Sequence, residues 1–301
     1  MQKIIRAAVV PMVLLPLIIG MAGCTGGDRF TEEELRELVD RAADTTASSR
    51  TLSFSQDMEM TANITADEES GAISMTGSGN GVSDWVAENS LINMVMSISV
   101  ESQGMEFSMD DIAIEMYVVD GWVYYHISIA EIDDRWLKAR PDEDTSAMLF
   151  DQDTIDQSLA LLDTPEAVEY LRDEPVSGAD CYVVAVTPSQ APYQEWLETQ
   201  GLPLDLFDDV NLEQLMMEFV SGVSYTVWID KRDDYIRRMD TAFTFDLTGT
   251  MLGEHADGLD AMLMTVSSSM VLDNFNEPVE IVLPEEAKDA EESTEMGFPF
   301  M

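Results

Sequence analysis

The spacing of hydrophobic residues changes early in the chain, and the change predicts one helix followed by a run of strands. In TEEELRELVDRAADTTASS, Thr31 and Glu34 form a capping box. Four apolar residues then recur at helical spacing: Leu35, Leu38, Val39 and Ala42. From Leu52 onward the period is two, which predicts strands over residues 52–65, 72–85, 91–101, 105–119 and 122–129. Asp120-Gly121 predicts a tight hairpin between the last two strands.

The second half of the chain mixes helical and strand patterns. Apolar residues from Met148 to Leu162 recur near helical spacing, and Thr164-Pro165-Glu166 predicts a further helix start. Residues 193–199 and 208–220 are also helical in pattern, whereas 180–187, 224–247 and 259–283 predict strands, the middle one as a hairpin turning near 231–234. The chain therefore predicts one α+β domain over 31–284, in which helices cover one face of a long antiparallel sheet. The acidic residues 285–301 are predicted to be disordered.

The N-terminus predicts export. Lys3 and Arg6 precede an apolar run that ends at Ala22, which is too short and too rich in proline to span a membrane. Met21-Ala22-Gly23 directly before Cys24 resembles a lipobox, which implies that residues 1–23 are removed and that Cys24 carries a lipid. Residues 24–30 then form a short linker. The alternative is an ordinary signal peptide with an incidental cysteine.

The charge of the chain excludes one class of partner and favours one environment. It has 59 acidic and 15 basic residues, a net charge of −44. Such a surface repels phosphate groups, so no nucleic-acid binding is expected. A uniformly acidic coat is tolerated where salt screens it, and a halophilic source explains the composition better than an acidic binding patch does. With Cys24 acylated, Cys181 in the apolar strand CYVVAV is predicted to be a buried small hydrophobe.

Five stretches carry a family resemblance in their order along the chain: DGWVYYHISI, RWLKAR, GADCYVVAV, SYTVWIDKRDDYIRRM and NFNEPVEIVLP. From about residue 52 to 284 the chain resembles LolA/LppX-like lipoproteins, the LolA/LolB/LprG superfamily, which includes uncharacterised archaeal and bacterial members. The resemblance implies a strongly curved, incomplete β-barrel whose concave face is closed by helices. It implies a hollow that carries lipids or acyl chains, and it supplies no catalytic residues.

Methionine is concentrated on one side of several predicted strands, and seven of these residues are candidates for the lining of such a hollow: Met58, Met60, Met94, Met96, Met116, Met262 and Met264. Methionine is flexible and polarisable, so it adapts to apolar ligands of irregular shape. The alternative is that these methionines fill an ordinary core between sheet and helices, because any such sheet needs an apolar face.

Other chemistry is weakly indicated. His126 and His255 are the two histidines, and no metal site or catalytic triad can be built on them. Residues 151–156 are rich in aspartate but lack the glycine and final glutamate of a calcium loop. No nucleophile-elbow or zinc-protease motif supports a hydrolase, so neither enzyme activity nor a cofactor is expected. Asn63 begins a glycosylation sequon whose use the sequence leaves open.

Two hypotheses therefore lead. In the first, the protein is a non-enzymatic lipoprotein on the outer face of the cytoplasmic membrane, and it binds or carries an apolar, lipid-like ligand in a methionine-rich cavity. In the second, the same fold has a filled core and serves as a structural or interaction protein of the cell surface. Protein partners are unknown in both cases.

Replacing Cys24 by serine removes the thiol that would carry the lipid. We expect Cys24→Ser protein to stay unprocessed or to be released from membranes, because attached chains anchor a protein by about 0.8 kcal/mol per buried methylene. Fractionation combined with intact mass measurement tests this, and Cys181→Ser is the matched control. A Cys24→Ser variant that stays with the membrane at its normal mature mass contradicts the lipidation of Cys24.

Overall fold

The predicted strands join into one open, curved sheet of 12 strands in the computed structural model of the chain. The structure describes residues 29–66, 69–102, 105–129, 135–140, 159, 162, 165–189, 223–248 and 259–293. Neighbouring strands are antiparallel throughout, apart from the short last strand, which runs parallel to its partner. The predicted fold class, a long curved antiparallel sheet forming an incomplete barrel, is confirmed.

Strands that are neighbours in the sheet are also consecutive in the chain, with two exceptions. The first helix, α1, spans Glu32–Ala47. The strands are β1 Thr51–Ala66, β2 Glu69–Asp84, β3 Asn89–Ser102, β4 Met105–Val119, β5 Trp122–Ser128, β6 Trp136–Ala139, β7 Ala167–Val176, β8 Ala179–Thr187, β9 Val223–Asp230, β10 Ile236–Thr248, β11 Leu259–Asp273 and β12 Glu291–Glu292. A one-turn helix, α2, spans Glu285–Lys288. In the sheet the order is β12-β6-β5-β4-β3-β2-β1-β11-β10-β9-β8-β7.

Helix α1 begins where the sequence predicts. The backbone N–H of Glu34 donates to Oγ1 of Thr31 at 3.2 Å, and the backbone N–H of Thr31 donates to Oε2 of Glu34 at 2.7 Å. The predicted apolar stripe of the helix is buried against the sheet. Near the other end of α1, Oγ1 of buried Thr46 accepts a hydrogen bond from the backbone N–H of Ile236 at 3.0 Å. The helix is thereby fixed to the start of β10.

The tight turns agree with their local sequence signals. Asp120 and Gly121 have φ angles of 53° and 72°, as the predicted hairpin between β4 and β5 requires. The β9–β10 hairpin turns where predicted, and Asp234 has a φ of 56°. Ser177 and Gly178, with φ angles of 48° and 83°, make a further two-residue turn that joins β7 to β8.

The helix start predicted at Thr164-Pro165-Glu166 is wrong, because β7 begins at Ala167. Ser177-Gly178 is a turn signal that closes a hairpin on β8, and pairing with β8 outweighs the helical spacing. Pro175 lies within β7 and is tolerated there because β7 is the edge strand. Most of the other predicted helices lie outside the described residues. Leu159 and Leu162, which are described singly, are buried in the same core as α1.

The C-terminal predictions also need correction. The last long strand, expected over 259–283, ends at Asp273, because Asn274 and Asn276 adopt φ angles of 54° and 59° that break the ladder. Within the tail predicted to be disordered from 285, the described residues up to Ser293 are ordered. Its short strand β12 pairs with β6, and Ala287 and Ala290 are buried. Pairing with an otherwise open sheet edge fixes a segment whose own sequence shows no periodicity.

A buried ion pair joins three strands beside α1. Asp230, at the end of β9, is 4% exposed and accepts hydrogen bonds from Nε and Nη2 of Arg237 at 3.0 and 2.9 Å. Nη1 of Arg237 also contacts Oδ1 of Asp273 at 3.0 Å. This interaction accounts for the order of acidic and basic residues in WIDKRDDYIRR, because the hairpin brings the two charges together across β9 and β10. Removing one partner alone would leave a buried charge unpaired.

Gly81 of β2 is in close contact with its neighbours, so we expect its replacement to change the stability of the protein. A Cβ atom placed on Gly81 would lie 2.5 Å from Cζ of Phe54 and 2.5 Å from the carbonyl oxygen of Leu91. We expect Gly81→Ala to lower the free energy of unfolding by about 1–3 kcal/mol, the usual cost of overpacking a core. The control is Gly77→Ala, whose Cβ would meet its nearest neighbour at 3.5 Å. Urea unfolding measures both, and equal effects would contradict the tight contact at Gly81.

Candidate functional site

One face of the sheet is apolar, and α1 packs on it. In β1 this face carries Leu52, Phe54 and every second residue after them, because side chains alternate along a strand. The antiparallel register continues the same face across the sheet. Met58, for example, pairs with Gly77 of β2 and with Ser268 of β11. We call this surface the methionine face and define it by the seven predicted residues: Met58, Met60, Met94, Met96, Met116, Met262 and Met264.

The register places all seven predicted methionines on this face, although they come from four strands. Two lie in β1, two in β3, one in β4 and two in β11. All seven are half-buried. Together they give an apolar surface across five adjacent strands, from β4 through β3, β2 and β1 to β11. That this surface encloses a ligand cavity stays a prediction.

Further methionines lie on the same face and are not singled out by the sequence. The register aligns Met75 with Met60, Met109 with Ile98, and Met239 with Met270. Alternation within one strand cannot show which side of β2 matches which side of β1. Strand pairing is needed to show that these residues join the predicted set. Met239 is 8% exposed and belongs to the closed core beside α1.

A row of glycines in β2 lies under the methionines and was not predicted from the sequence. Gly77, Gly79 and Gly81 all pair with face residues of β1. A Cβ on Gly77 would touch Cγ of Met96 at 3.5 Å and Cε of Met58 at 3.7 Å. The methionine side chains of β1 and β3 therefore lie over β2. A side chain larger than glycine in β2 would occupy the space that they now use. The segment GSGNG was the available signal, because glycine within a strand marks close approach of another group.

Burial decreases along the methionine face. At the α1 end Leu52 is fully buried, with Ile92 and Leu272 close to it in burial. The centre of the face is half-buried. At the opposite end, where β4 begins, Met105 is 70% and Phe107 58% exposed. The α1 end of the face is thus a close-packed core. At the opposite end the residues of the face are still apolar, but they are exposed to solvent.

One polar pair interrupts the apolar surface. Gln56, next to Met58 on the same face, donates a hydrogen bond from Nε2 to Oγ of Ser268 at 3.1 Å. Both side chains are half-buried. A mostly apolar site with a few placed polar groups is the usual character of a small-molecule site, because the polar groups orient the ligand.

The remaining predicted features have varied outcomes. Cys181 is a free, fully buried thiol, as predicted, and burial raises its pKa to about 11. His126 stacks on Trp136, with ring centroids 5.3 Å apart. Asn63 is exposed on the opposite face of the sheet. Cys24, His255 and residues 151–156 lie outside the described residues.

Two absences apply to the described part of the chain alone. No group of three or more His, Cys, Asp or Glu side chains within it is arranged to hold a metal ion. No helix within it is both long enough and apolar enough to cross a membrane.

Comparisons with known proteins give one family match and several similar structures. Residues 34–292 match the model of a family described as a family of unknown function, DUF6612. No curated protein matches the chain. Similar solved structures include LprF from Mycobacterium bovis, with 13% identity, a TM-score of 0.42 and coverage of 85% of this chain and 98% of that one.

Two other similar structures are lipoprotein-related by their descriptions. Lipoprotein LppX from Mycobacterium tuberculosis is 11% identical, with a TM-score of 0.40 and coverage of 84% of this chain and all of that one. A putative outer membrane lipoprotein-sorting protein domain from Vibrio parahaemolyticus is 11% identical, with a TM-score of 0.22 and coverage of 83% and 95%. These similar structures include LppX, a protein of the kind that the sequence resembles. At 11 to 13% identity the likeness concerns the fold alone.

Proposed function

Because the chain belongs to DUF6612, a family of unknown function, its role has to be inferred from its own residues, and we propose that it is a membrane-anchored lipoprotein that binds or carries an apolar, lipid-like ligand. The observation that carries the proposal is the half-buried methionine face, which crosses five adjacent strands. The proposed role is non-enzymatic, since holding a ligand of this kind needs apolar area and no reacting group.

The side chains of the methionine face suit a ligand without fixed shape. Methionine has three rotatable bonds and a polarisable thioether, so neighbouring methionines repack around chains of different length. Each buried methylene of a ligand contributes about 0.8 kcal/mol without needing a directional partner. The glycines of β2 add no side chains to the middle of the face, which leaves space there for a ligand. Gln56 and Ser268 offer a polar contact to a head group.

The chain just after the proposed anchor is fixed to the sheet. Nη1 of Arg29 contacts Oδ2 of Asp173 at 2.7 Å and the hydroxyl of Tyr170 at 3.1 Å. The Arg29 guanidinium holds the pKa of Asp173 at about 2, so the pair stays ionised at any ordinary pH. Phe30 packs edge-on against Tyr182 at 5.1 Å. The described structure therefore begins with a fixed residue, Arg29, five residues after Cys24.

This short connection supports a position close to the membrane. Five residues span at most about 18 Å when fully extended. With Cys24 acylated, the sheet would lie against the outer face of the cytoplasmic membrane, where a bound lipid can exchange with the bilayer. Export and lipidation rest on the sequence of residues 1–24, and the test for them is the Cys24→Ser variant.

Replacing Met96 by tryptophan tests the ligand-binding role. Met96 is half-buried above Gly77, so a larger side chain there would occupy the space of a ligand. We expect Met96→Trp protein, purified from membranes, to lose copurifying lipid in native mass spectrometry, while its thermal midpoint changes little. Ser99→Trp, on the opposite face of the same strand, is the matched control and should keep its lipid.

The alternative function, a structural or interaction lipoprotein with a filled core, gives the opposite pattern. In a close-packed core the Met96→Trp change would overpack the interior and destabilise the protein by about 1–3 kcal/mol. Absence of copurifying lipid from the native protein, together with a strongly destabilised Met96→Trp variant, would decide for the filled core.

A further inference from the structure

The sheet face opposite the methionine face carries a long groove, which the proposed function does not use. Two cavities of about 710 and 500 Å³ lie on this side. They are contiguous, since Ser78 and Val95 line both. We call the combined cavity the outer groove and define it by the strands that line it: β9, β10, β11, β1, β2, β3, β4 and β5.

The outer groove crosses the strands instead of following them. Its lining residues run from Ser224 and Thr226 in β9 to His126 and Ser128 in β5. Adjacent strands lie about 4.8 Å apart, so eight strands give a groove about 34 Å long on the sheet surface. A single small molecule would fill a fraction of it. The length fits an extended chain that lies across the strands.

Hydroxyl groups dominate the larger part of the groove. Nine of its 16 lining residues are serine or threonine, and seven of these point their side chains into it. Six of them come in pairs from β9, β11 and β2: Ser224 and Thr226, Ser267 and Ser269, Thr76 and Ser78. Each hydroxyl both donates and accepts hydrogen bonds. The surface therefore suits a ligand that is itself rich in hydroxyl groups.

Charge argues against ionic polymers as the ligand. No lysine or arginine lines either cavity among the described residues, so an anionic chain finds no partner there. Acidic residues make up three of the 16 lining residues of the larger cavity. That share matches the 59 in 301 of the whole chain, so acidity does not distinguish the groove as a site for cations. The hydroxyl groups do distinguish it.

The β5 end of the groove adds two amides and the imidazole ring of His126. Asn80 and Asn93 line it beside Glu115, which accepts a hydrogen bond from the hydroxyl of Tyr117 at 2.9 Å. His126 lines the same cavity and stacks on Trp136. Flat rings pack against the C–H faces of sugar rings, while amides and carboxylates bond their hydroxyl groups.

We propose that the outer groove binds a neutral carbohydrate chain, an oligosaccharide long enough to cross several strands. Its hydroxyl groups bond the serine, threonine and asparagine side chains, and the imidazole ring of His126 packs against one of its sugar rings. The groove and the methionine face lie on opposite sides of the sheet. The protein can therefore hold a carbohydrate and an apolar ligand at the same time.

Titration with three neutral hexasaccharides, cellohexaose, chitohexaose and maltohexaose, tests the proposal in isothermal calorimetry on the full mature chain. At least one of them should bind saturably, with an affinity that is the same in low and in molar salt, because no ionic contact is involved. Ser78→Trp places a large ring where the two cavities meet and should weaken binding at least tenfold. Ser74→Trp, exposed on the same face of the same strand outside both cavities, is the matched control and should bind as the native protein does.

A second variant keeps the test valid if Ser78→Trp fails to fold. Asn80 is exposed, so Asn80→Ala should leave folding intact while weakening binding severalfold. Failure of all three hexasaccharides to bind the native protein would overturn the proposal. Equal binding to native, Ser78→Trp and Asn80→Ala proteins would also overturn it. Binding of hexalysine alone, with an affinity that falls as salt rises, would show that the groove takes a cationic peptide instead.

Discussion

The structure depends on one constraint: a long, open antiparallel sheet whose apolar residues fall mainly on one side. Alternation along each strand and the register between strands leave no freedom in this arrangement, because a slip of one residue would turn a whole strand's apolar set to the other face. In the described structure α1 covers one end of that face, where Leu52 and Ile236 are fully buried. The methionines beyond that end are half-buried. The apolar face, the glycines that shape it and the polar groove behind it all follow from the same register.

The choice of residues differs between the two parts of the apolar face. The closed core beside α1 is built mainly of valine, leucine and isoleucine, whose stiff or well-defined rotamers specify tight packing. The central part is built of methionine over glycine, which gives an adaptable surface and a poorly specified core. A protein that needs one fixed packing gains nothing from a change to methionine along a strand. A protein that holds chains of variable shape gains an adaptable surface from it, and the proposed binding role rests on this difference.

Much of the fold could be predicted from the sequence because its signals are local. The capping box of Thr31, the tight turn at Asp120-Gly121 and the alternation from Leu52 each determine structure within a few residues. The failures involve contacts distant in sequence. Strand β7 forms because its hairpin partner β8 is available, and β12 is ordered by the edge of β6. In the same way, the seven methionines could be assigned to one side of their own strands. Their place beside Met75 and above Gly77 depends on pairings that one sequence does not reveal.

The central claim is that the methionine face is an adaptable surface that takes up an apolar ligand. The most direct measurement is a methyl NMR titration of delipidated protein, labelled with ¹³C at the methionine methyl groups, using oleate as the probe. The account predicts saturable shifts of the Met58, Met60, Met94, Met96, Met116, Met262 and Met264 methyl signals, with contacts to the oleate methylenes, while Met239 in the closed core keeps its position. If oleate at saturation leaves these seven signals unchanged, or shifts only the exposed Met105, the account is contradicted.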